Sequence, residues 1–136
     1  MKISVAMATY NGAQYIEEQL ESIRIQTMPV DEVRICDDGS LDDTVEVICH
    51  YIREHGLESS WSVEVNQENL GYASNFMKAV GLTNGDYVFF CDQDDIWIAD
   101  RAERMIGLME AHPDMLLLGS EFDSFVSAKD APSVPG

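Results

Sequence analysis

The run Asp92-Gln93-Asp94-Asp95 places three carboxylates directly behind five apolar residues, Tyr87-Val88-Phe89-Phe90-Cys91. Like charges at that density raise one another's free energy unless a cation or hydrogen-bond donors offset them. An all-oxygen donor set suits a hard divalent ion, and Mg²⁺ or Mn²⁺ characteristically bridges one or two carboxylates to substrate phosphates. The chemistry these residues point to is metal-assisted binding of a nucleotide. Two further polar clusters follow strand-like stretches: Thr9-Tyr10-Asn11-Gly12 after residues 3–8, and Asp37-Asp38-Gly39-Ser40 after residues 31–36.

Such clusters act together only if the chain folds them to one place, and the hydrophobic periodicity says how. The apolar runs at 3–8 and 87–91, the stretch Asp31-Glu32-Val33-Arg34-Ile35-Cys36 and the alternating stretch 61–65 read as strands, with a further strand at Met115-Leu116-Leu117-Leu118. Helices are expected between them. The first starts near residue 12, where Asn11 and Gln14 have capping-box spacing, and carries Ile16, Leu20 and Ile23 on one stripe. The second runs from a Ser40 cap to Glu54 with Val45, Ile48 and Ile52 inward, and Gly56 ends it. A short helix spans 72–80 with Phe76 and Val80 inward. The last spans 100–111 with Met105, Leu108 and Met109 inward.

Strands alternating with helices imply an α/β fold with a mainly parallel sheet and right-handed crossovers. In such sheets ligands bind beyond the carboxyl ends of the strands, at a switch in strand order. All three polar clusters belong at that rim.

Composition limits the alternatives. A chain of 136 residues, 46% hydrophobic and 24% charged, is a single soluble domain. Its net charge of −17, from 25 acids against eight Lys and Arg, argues against nucleic acid as a partner. The same charge repels a nucleotide diphosphate, which makes a metal ion close to a requirement. Cys36, Cys49 and Cys91 lack metal-type spacing and read as small buried hydrophobes. Met1 to Met7 begin a strand rather than a secretory signal, and no apolar run approaches the ~20 residues of a membrane helix. These features suggest a cytoplasmic chain.

Taken in order, Val5-Ala6-Met7-Ala8-Thr9-Tyr10-Asn11-Gly12, Asp37-Asp38-Gly39-Ser40-Leu41-Asp42-Asp43-Thr44, Asn69-Leu70-Gly71 and Asp92-Gln93-Asp94-Asp95 resemble the family 2 glycosyltransferases. The resemblance covers about residues 3–119 and implies the GT-A fold, a Rossmann-like nucleotide-sugar domain. It divides the chain into a donor-binding half, residues 1–120, and the start of an acceptor-side region or a ragged tail, residues 121–136. It also implies roles. Thr9, Tyr10 and Asn11 line the nucleotide pocket, with Tyr10 against the base. One of Asp37 and Asp38 accepts from the imide N–H of a pyrimidine. Asn69 and Gly71 shape the loop over the nucleotide. Asp92 lies near the ribose and, with Asp94, at a Mn²⁺ or Mg²⁺ ion, while Asp95 supports them.

The implied activity is transfer of a sugar from a UDP- or dTDP-sugar to a glycan or lipid-linked acceptor, with inversion, in bacterial cell-surface polysaccharide synthesis. The string Cys91 to Trp97 is similar to that of rhamnosyltransferases. The catalytic base is expected beyond Gly136; Asp114, Glu121 and Asp123 are downstream acids and no more. The chain then reads as a fragment, with self-association expected through Phe122 and Phe125. The whole protein is expected to be cytoplasmic or peripheral at the inner face of the membrane.

Structural accounts compete at several positions. Asp-Asp-Gly-Ser is ordinary turn and cap chemistry, and Thr9-Tyr10-Asn11 is an ordinary strand-to-helix turn. Glu17 falls on a solvent face, Trp97 reads as packing, and His50, His55 and His112 lack ligand spacing. Three other functions remain to be weighed. A receiver-type signalling domain needs its acidic pair after the first strand, whereas here the pair follows the second. A dinucleotide oxidoreductase needs Gly-x-Gly-x-x-Gly after the first strand, which is absent. A nucleotide-binding module without transferase activity is compatible with all the motifs.

Overall fold

The computed structural model describes residues 1–92 and 95–112. Eight elements alternate along them: β1 (Ile3–Thr9), α1 (Ile16–Arg24), β2 (Glu32–Asp37), α2 (Thr44–Glu54), β3 (Trp61–Val65), α3 (Tyr72–Gly81), β4 (Tyr87–Cys91) and α4 (Arg101–Ala111). The four strands form one parallel sheet in the order β3-β2-β1-β4. Strand order reverses at β1, between β2 and β4, which is where a doubly wound sheet opens a crevice for ligands. A receiver-type sheet has the order 2-1-3-4-5 instead, so that alternative is set aside.

The two faces of β1 explain the layering. Ile3, Val5 and Met7 point into the larger core with Ile16, Leu20 and Ile23 of α1, Ile48, Tyr51 and Ile52 of α2, and Ala102, Met105 and Ile106 of α4. Ala6 and Ala8 point the other way, against Phe76 and Ala79 of α3. Small residues on that face let α3 approach the sheet closely. Each fully buried Ile or Leu contributes roughly 1.5–3 kcal/mol through removal of apolar surface from water.

Four local expectations need correction. Asn11 does not cap α1, which starts at Ile16 after a turn in which Tyr15 and Ile16 N–H both donate to the Gly12 carbonyl. Asn11 instead sits at φ 52° and ties two loops together: its N–H donates to Ser40 Oγ, and its Oδ1 accepts from Leu41 N–H. Ser40 likewise does not cap α2; that helix starts at Thr44, whose N–H donates to Asp42 Oδ1. Its buried stripe is Thr44, Ile48, Tyr51 and Ile52, with Val45 only half-buried. On α4 the inward residues are Arg101, Ala102, Met105 and Ile106, while Leu108 is exposed. The strand expected at 115–118 lies outside the described residues, as do Asp114, Glu121, Phe122, Asp123 and Phe125.

The amino edge of the sheet carries a buried charge. Glu32 Oε2 accepts from Ser4 Oγ and Asn84 N–H, both at 2.5 Å, and Oε1 accepts from Arg34 Nη2 at 2.9 Å. Burial opposes ionisation of Glu32, but these donors together with Lys2 outweigh it and hold the carboxyl below its ordinary range. Nearby, Lys2 N–H donates to Asp86 Oδ2 and Asp86 N–H to the Lys2 carbonyl, which fixes β4 beside β1. This edge lies opposite the polar clusters and serves to hold the sheet.

Candidate functional site

Strand register brings the carboxyl ends into line. Thr9 pairs with Asp37 and Asp37 with Val65, while Met7 pairs with Cys91 on the other side of β1. Tyr10, Asp38, Asn66 and Asp92 therefore leave the sheet along one edge. A cleft of about 370 Å³ opens there. Its walls are Ala8 and Thr9 at the end of β1, Tyr10 after it, Asp38 after β2, Asn69 and Gly71 from the loop before α3, and Tyr72 and Asn75 on α3 itself. Of the residues expected to bind nucleotide, five line this cleft. Asn11 and Asp37 do not line it, and Asp92 meets it through its bond with Tyr72.

The two neighbouring acids have different surroundings. Asp37 is fully buried and its oxygens are occupied: Oδ1 accepts from Thr9 Oγ1 and Ser40 Oγ, both at 2.7 Å, and Oδ2 from the N–H groups of Gly39 and Ser40. It builds the turn. Asp38 lines the cleft. Its Oδ1 accepts from Leu70 N–H (2.7 Å) and Asn66 Nδ2 (2.9 Å), while Oδ2 accepts from Gly71 N–H (3.0 Å). Burial disfavours the charge on Asp38, but these three donors outweigh it and keep the carboxyl below its ordinary range. An ionised carboxylate accepts hydrogen bonds and donates none. Oδ2, with one donor, retains acceptor capacity.

The loop 66–71 is shaped by the same acid. Asn69 Nδ2 donates to the Asp38 carbonyl at 3.2 Å, and its Oδ1 accepts from Gly71 N–H. Gly71 adopts φ 87°, ψ 159°, a conformation essentially confined to glycine, and this turns its N–H onto Asp38 just before α3 begins. Behind the wall, Asn66 Nδ2 also donates to Asn75 Oδ1 (2.7 Å), Asn75 Nδ2 donates to the Cys36 carbonyl (2.8 Å), and Lys78 Nζ donates to Asn66 Oδ1 (2.8 Å).

At the end of β4, Asp92 is held at both its ends. Its carbonyl accepts from Nε2 of Gln19, a fully buried residue of α1, and its Oδ1 accepts from the Tyr72 hydroxyl. Burial and the facing carboxylate push the Tyr72 phenol above its ordinary range, so it remains a donor. Asp94 lies outside the described residues. Asp95 forms an ion pair with Arg101 (3.9 Å), whose guanidinium sits 4.8 Å from the centre of the Trp97 ring. Trp97 is buried against Phe89, so it packs the core. Among the described residues, no group of three or more His, Cys, Asp or Glu is arranged to hold a metal ion.

Several site residues carry no motif signal. Tyr72, Asn75 and Lys78 fall on one short amphipathic helix, where spacing alone marks only Phe76 and Val80. Gln19 sits on the buried stripe of α1 beside Leu20, a polar residue on an apolar face, and that mismatch was its one available signal.

The sequence model of the family described as glycosyl transferase family 2 matches residues 4–131. Among curated relatives, the dTDP-rhamnosyl transferase RfbG of Shigella flexneri is 40% identical over 104 residues, covering 74% of this chain and 35% of the relative. The putative glycosyltransferase EpsE of Bacillus subtilis is 30% identical over 139 residues, covering 98% and 49%. The chain thus spans half the length, or less, of the curated relatives it matches. Among solved structures, residues 1–349 of S. aureus TarS in complex with UDP-GlcNAc superpose with a TM-score of 0.72 at 29% identity, covering 83% of this chain and 32% of that one. A Pyrobaculum calidifontis mannosyltransferase in complex with GDP-Man and Mn²⁺ gives 0.66 at 30% identity, covering 72% and 29%. No helix among the described residues is long and apolar enough to cross a membrane.

Proposed function

The chain belongs to the family 2 glycosyltransferases, and from that premise we propose that the cleft is the donor site of an enzyme transferring a sugar from a pyrimidine nucleotide diphosphate to an acceptor hydroxyl. The observation that carries this reading is the Asp38 carboxylate: ionised, facing the cleft, and able only to accept. Uracil and thymine present an imide N–H to such a group, whereas cytosine presents a bare ring nitrogen that it repels. Guanine also presents a ring N–H, so the carboxylate excludes cytosine and the choice of UDP- and dTDP-sugars over GDP-sugars rests on the relatives. The UDP-GlcNAc complex of TarS and the dTDP-rhamnosyl specificity named for RfbG support that choice.

Tyr10 and Thr9 flank the base and ribose in this reading, Asn69 and Gly71 close the loop over them, and Asp92 reaches the ribose. Asp92 and Asp94 would hold Mn²⁺ or Mg²⁺, since an all-oxygen donor set in an acidic chain fits a hard cation. When bound, the ion offsets the charge of the diphosphate leaving group. The residues described here bind and orient the donor. Deprotonation of the acceptor hydroxyl, with inversion at the sugar carbon, falls to a carboxylate beyond them. The acceptor class is a glycan or lipid-linked saccharide of the bacterial cell surface, with the whole protein working at the inner face of the membrane.

Calorimetry with UDP and dTDP, each with and without Mn²⁺, tests the donor site. The reading predicts Mn²⁺-dependent binding by the wild type and a loss of roughly tenfold or more in Asp94→Asn, as removal of a charged partner gives. Equal binding by both proteins would contradict the metal role.

A further inference from the structure

One buried face of α1 and the residues after it is polar where the core would take an apolar side chain. Gln19, Ser22 and Gln26 fall at i, i+3 and i+7, beside the core residues Ile16, Leu20 and Ile23, and all three are buried. Each bonds to backbone of the segment that leaves β4. Gln19 Nε2 donates to the Asp92 carbonyl, and Ser22 Oγ accepts from Trp97 N–H at 3.0 Å. Gln26 donates to the Ile98 carbonyl and accepts from Ala102 N–H, both at 2.8 Å. Buried peptide groups outside helices and strands need such partners, and this stripe supplies them.

Gln19 differs from the other two in what it holds. The ladder between β1 and β4 ends with the Met7–Cys91 pair, so Asp92 leaves the sheet beyond its last strand partner. It is gripped instead from both faces. α1 packs on the face of Ile3, Val5 and Met7, and α3 on the face of Ala6 and Ala8. From the first face Gln19 holds the Asp92 carbonyl; from the second Tyr72 holds its carboxylate. The same carbonyl accepts from Asp95 N–H at 3.2 Å, so one oxygen anchors both ends of the acid run. The Gln19 amide can meet it in only one orientation, because a carbonyl accepts and never donates. Its Nε2 also lies 3.2 Å from Cys91 Sγ, the last residue of β4.

We propose that Gln19 is a positioning residue of the donor site: by holding the carbonyl on which the acid run closes, it keeps Asp92 in place for the metal ion and the diphosphate. The inference rests on the donor-site reading above and extends it to a fully buried residue that does not line the cleft. Groups that orient a metal's ligands from behind are worth about 10- to 100-fold in metal affinity. Gln26 provides the internal comparison, since it bonds to the same segment but to none of the acids.

Titration calorimetry of the full chain with UDP, in Mn²⁺ and in EDTA, tests it on wild type, Gln19→Met and Gln26→Met, with melting temperature measured alongside. Methionine fills a similar volume and removes the donor. The ratio of the two affinities is the gain due to the metal. Gln19→Met is expected to cut that gain about tenfold while leaving binding in EDTA within about twofold of wild type. Gln26→Met loses three hydrogen bonds, so it should melt lower than Gln19→Met and yet keep the wild-type gain. A wild-type gain in Gln19→Met, or an equal loss in both variants, overturns the positioning role and leaves the donor-site reading standing. If wild type binds no UDP, or binds it equally with and without Mn²⁺, the donor-site reading is what fails, and this inference fails with it. Should Gln19→Met lose its fold, Gln19→Asn reads the same ratio, because its amide stops one methylene short of the Asp92 carbonyl.

Discussion

The hydroxyl of Tyr72 donates to Oδ1 of Asp92, which links the first residue of α3 to the end of β4 across the mouth of the cleft. The two residues are brought together by topology alone, because α3 precedes β4 and packs on the face of the sheet next to it. Tyr72 lines the cleft, so the bond ties the Asp92 carboxylate to the cleft wall. Tyr72→Phe removes the donor and keeps the ring, whose edge packs on Phe76. It should lower Mn²⁺-dependent UDP affinity about three- to tenfold with little change in melting temperature. Unaltered affinity would show that Asp92 needs no such support.

Gly71 holds both the loop conformation and one of the three donors to Asp38. Gly71→Ala meets open space around its new methyl group but not an allowed backbone. The strain should cost about 1–3 kcal/mol of stability and, by withdrawing the N–H from Asp38, weaken UDP as well. Chemical denaturation and UDP titration of the same protein would measure both effects.

Gly85 provides the contrasting case. A Cβ there would meet Ser4 Oγ and would lie 2.9 Å from the Lys2 carbonyl oxygen and from Ser4 N. Gly85→Ala should destabilise by about 1–3 kcal/mol through overpacking against backbone. UDP affinity should be unchanged, since the strain falls at the amino edge of the sheet and the cleft lies at the carboxyl edge.

Acid should unfold the chain by protonating two buried carboxylates. Asp38 and Glu32 are both held below their ordinary values of 3.8 and 4.5. A depressed carboxyl contributes stability that is complete above its unfolded value and is lost as pH falls through the lower folded value. Melting temperature should therefore be level with respect to these groups above about pH 5 and fall below it. Glu32→Gln should melt lower at neutral pH and show a shallower acid limb. An acid limb as steep as the wild type's would assign the transition to other groups.

How much of this was legible in the sequence differs between sheet and loops. Apolar runs located β1 and β4, and apolar residues alternating with polar ones marked β2 and the edge strand β3. The placement of polar clusters at strand ends followed from parallel pairing. The starts of α1 and α2 are not legible in the sequence, since Asn11 and Ser40 have the composition of caps but join the β1–α1 and β2–α2 loops to each other. The choice between Asp37 and Asp38 was likewise unreadable. Adjacent identical side chains leave a strand on opposite sides, and only the hydrogen-bond partners tell the turn-building acid from the one that faces the cleft. Buried polar residues such as Gln19, Glu32 and Asn75 escape periodicity arguments, which sort residues by polarity and not by partner.

The account turns on Asp38 reading a nucleobase at the rim where β1, β2 and β4 end. A crystal structure of the chain with UDP and Mn²⁺ tests that most directly. The account predicts the uracil imide nitrogen within about 3 Å of Asp38 Oδ2, in the cleft between Tyr10 and the 69–71 loop. A uracil bound elsewhere, or turned so that a carbonyl oxygen meets Asp38, would contradict it.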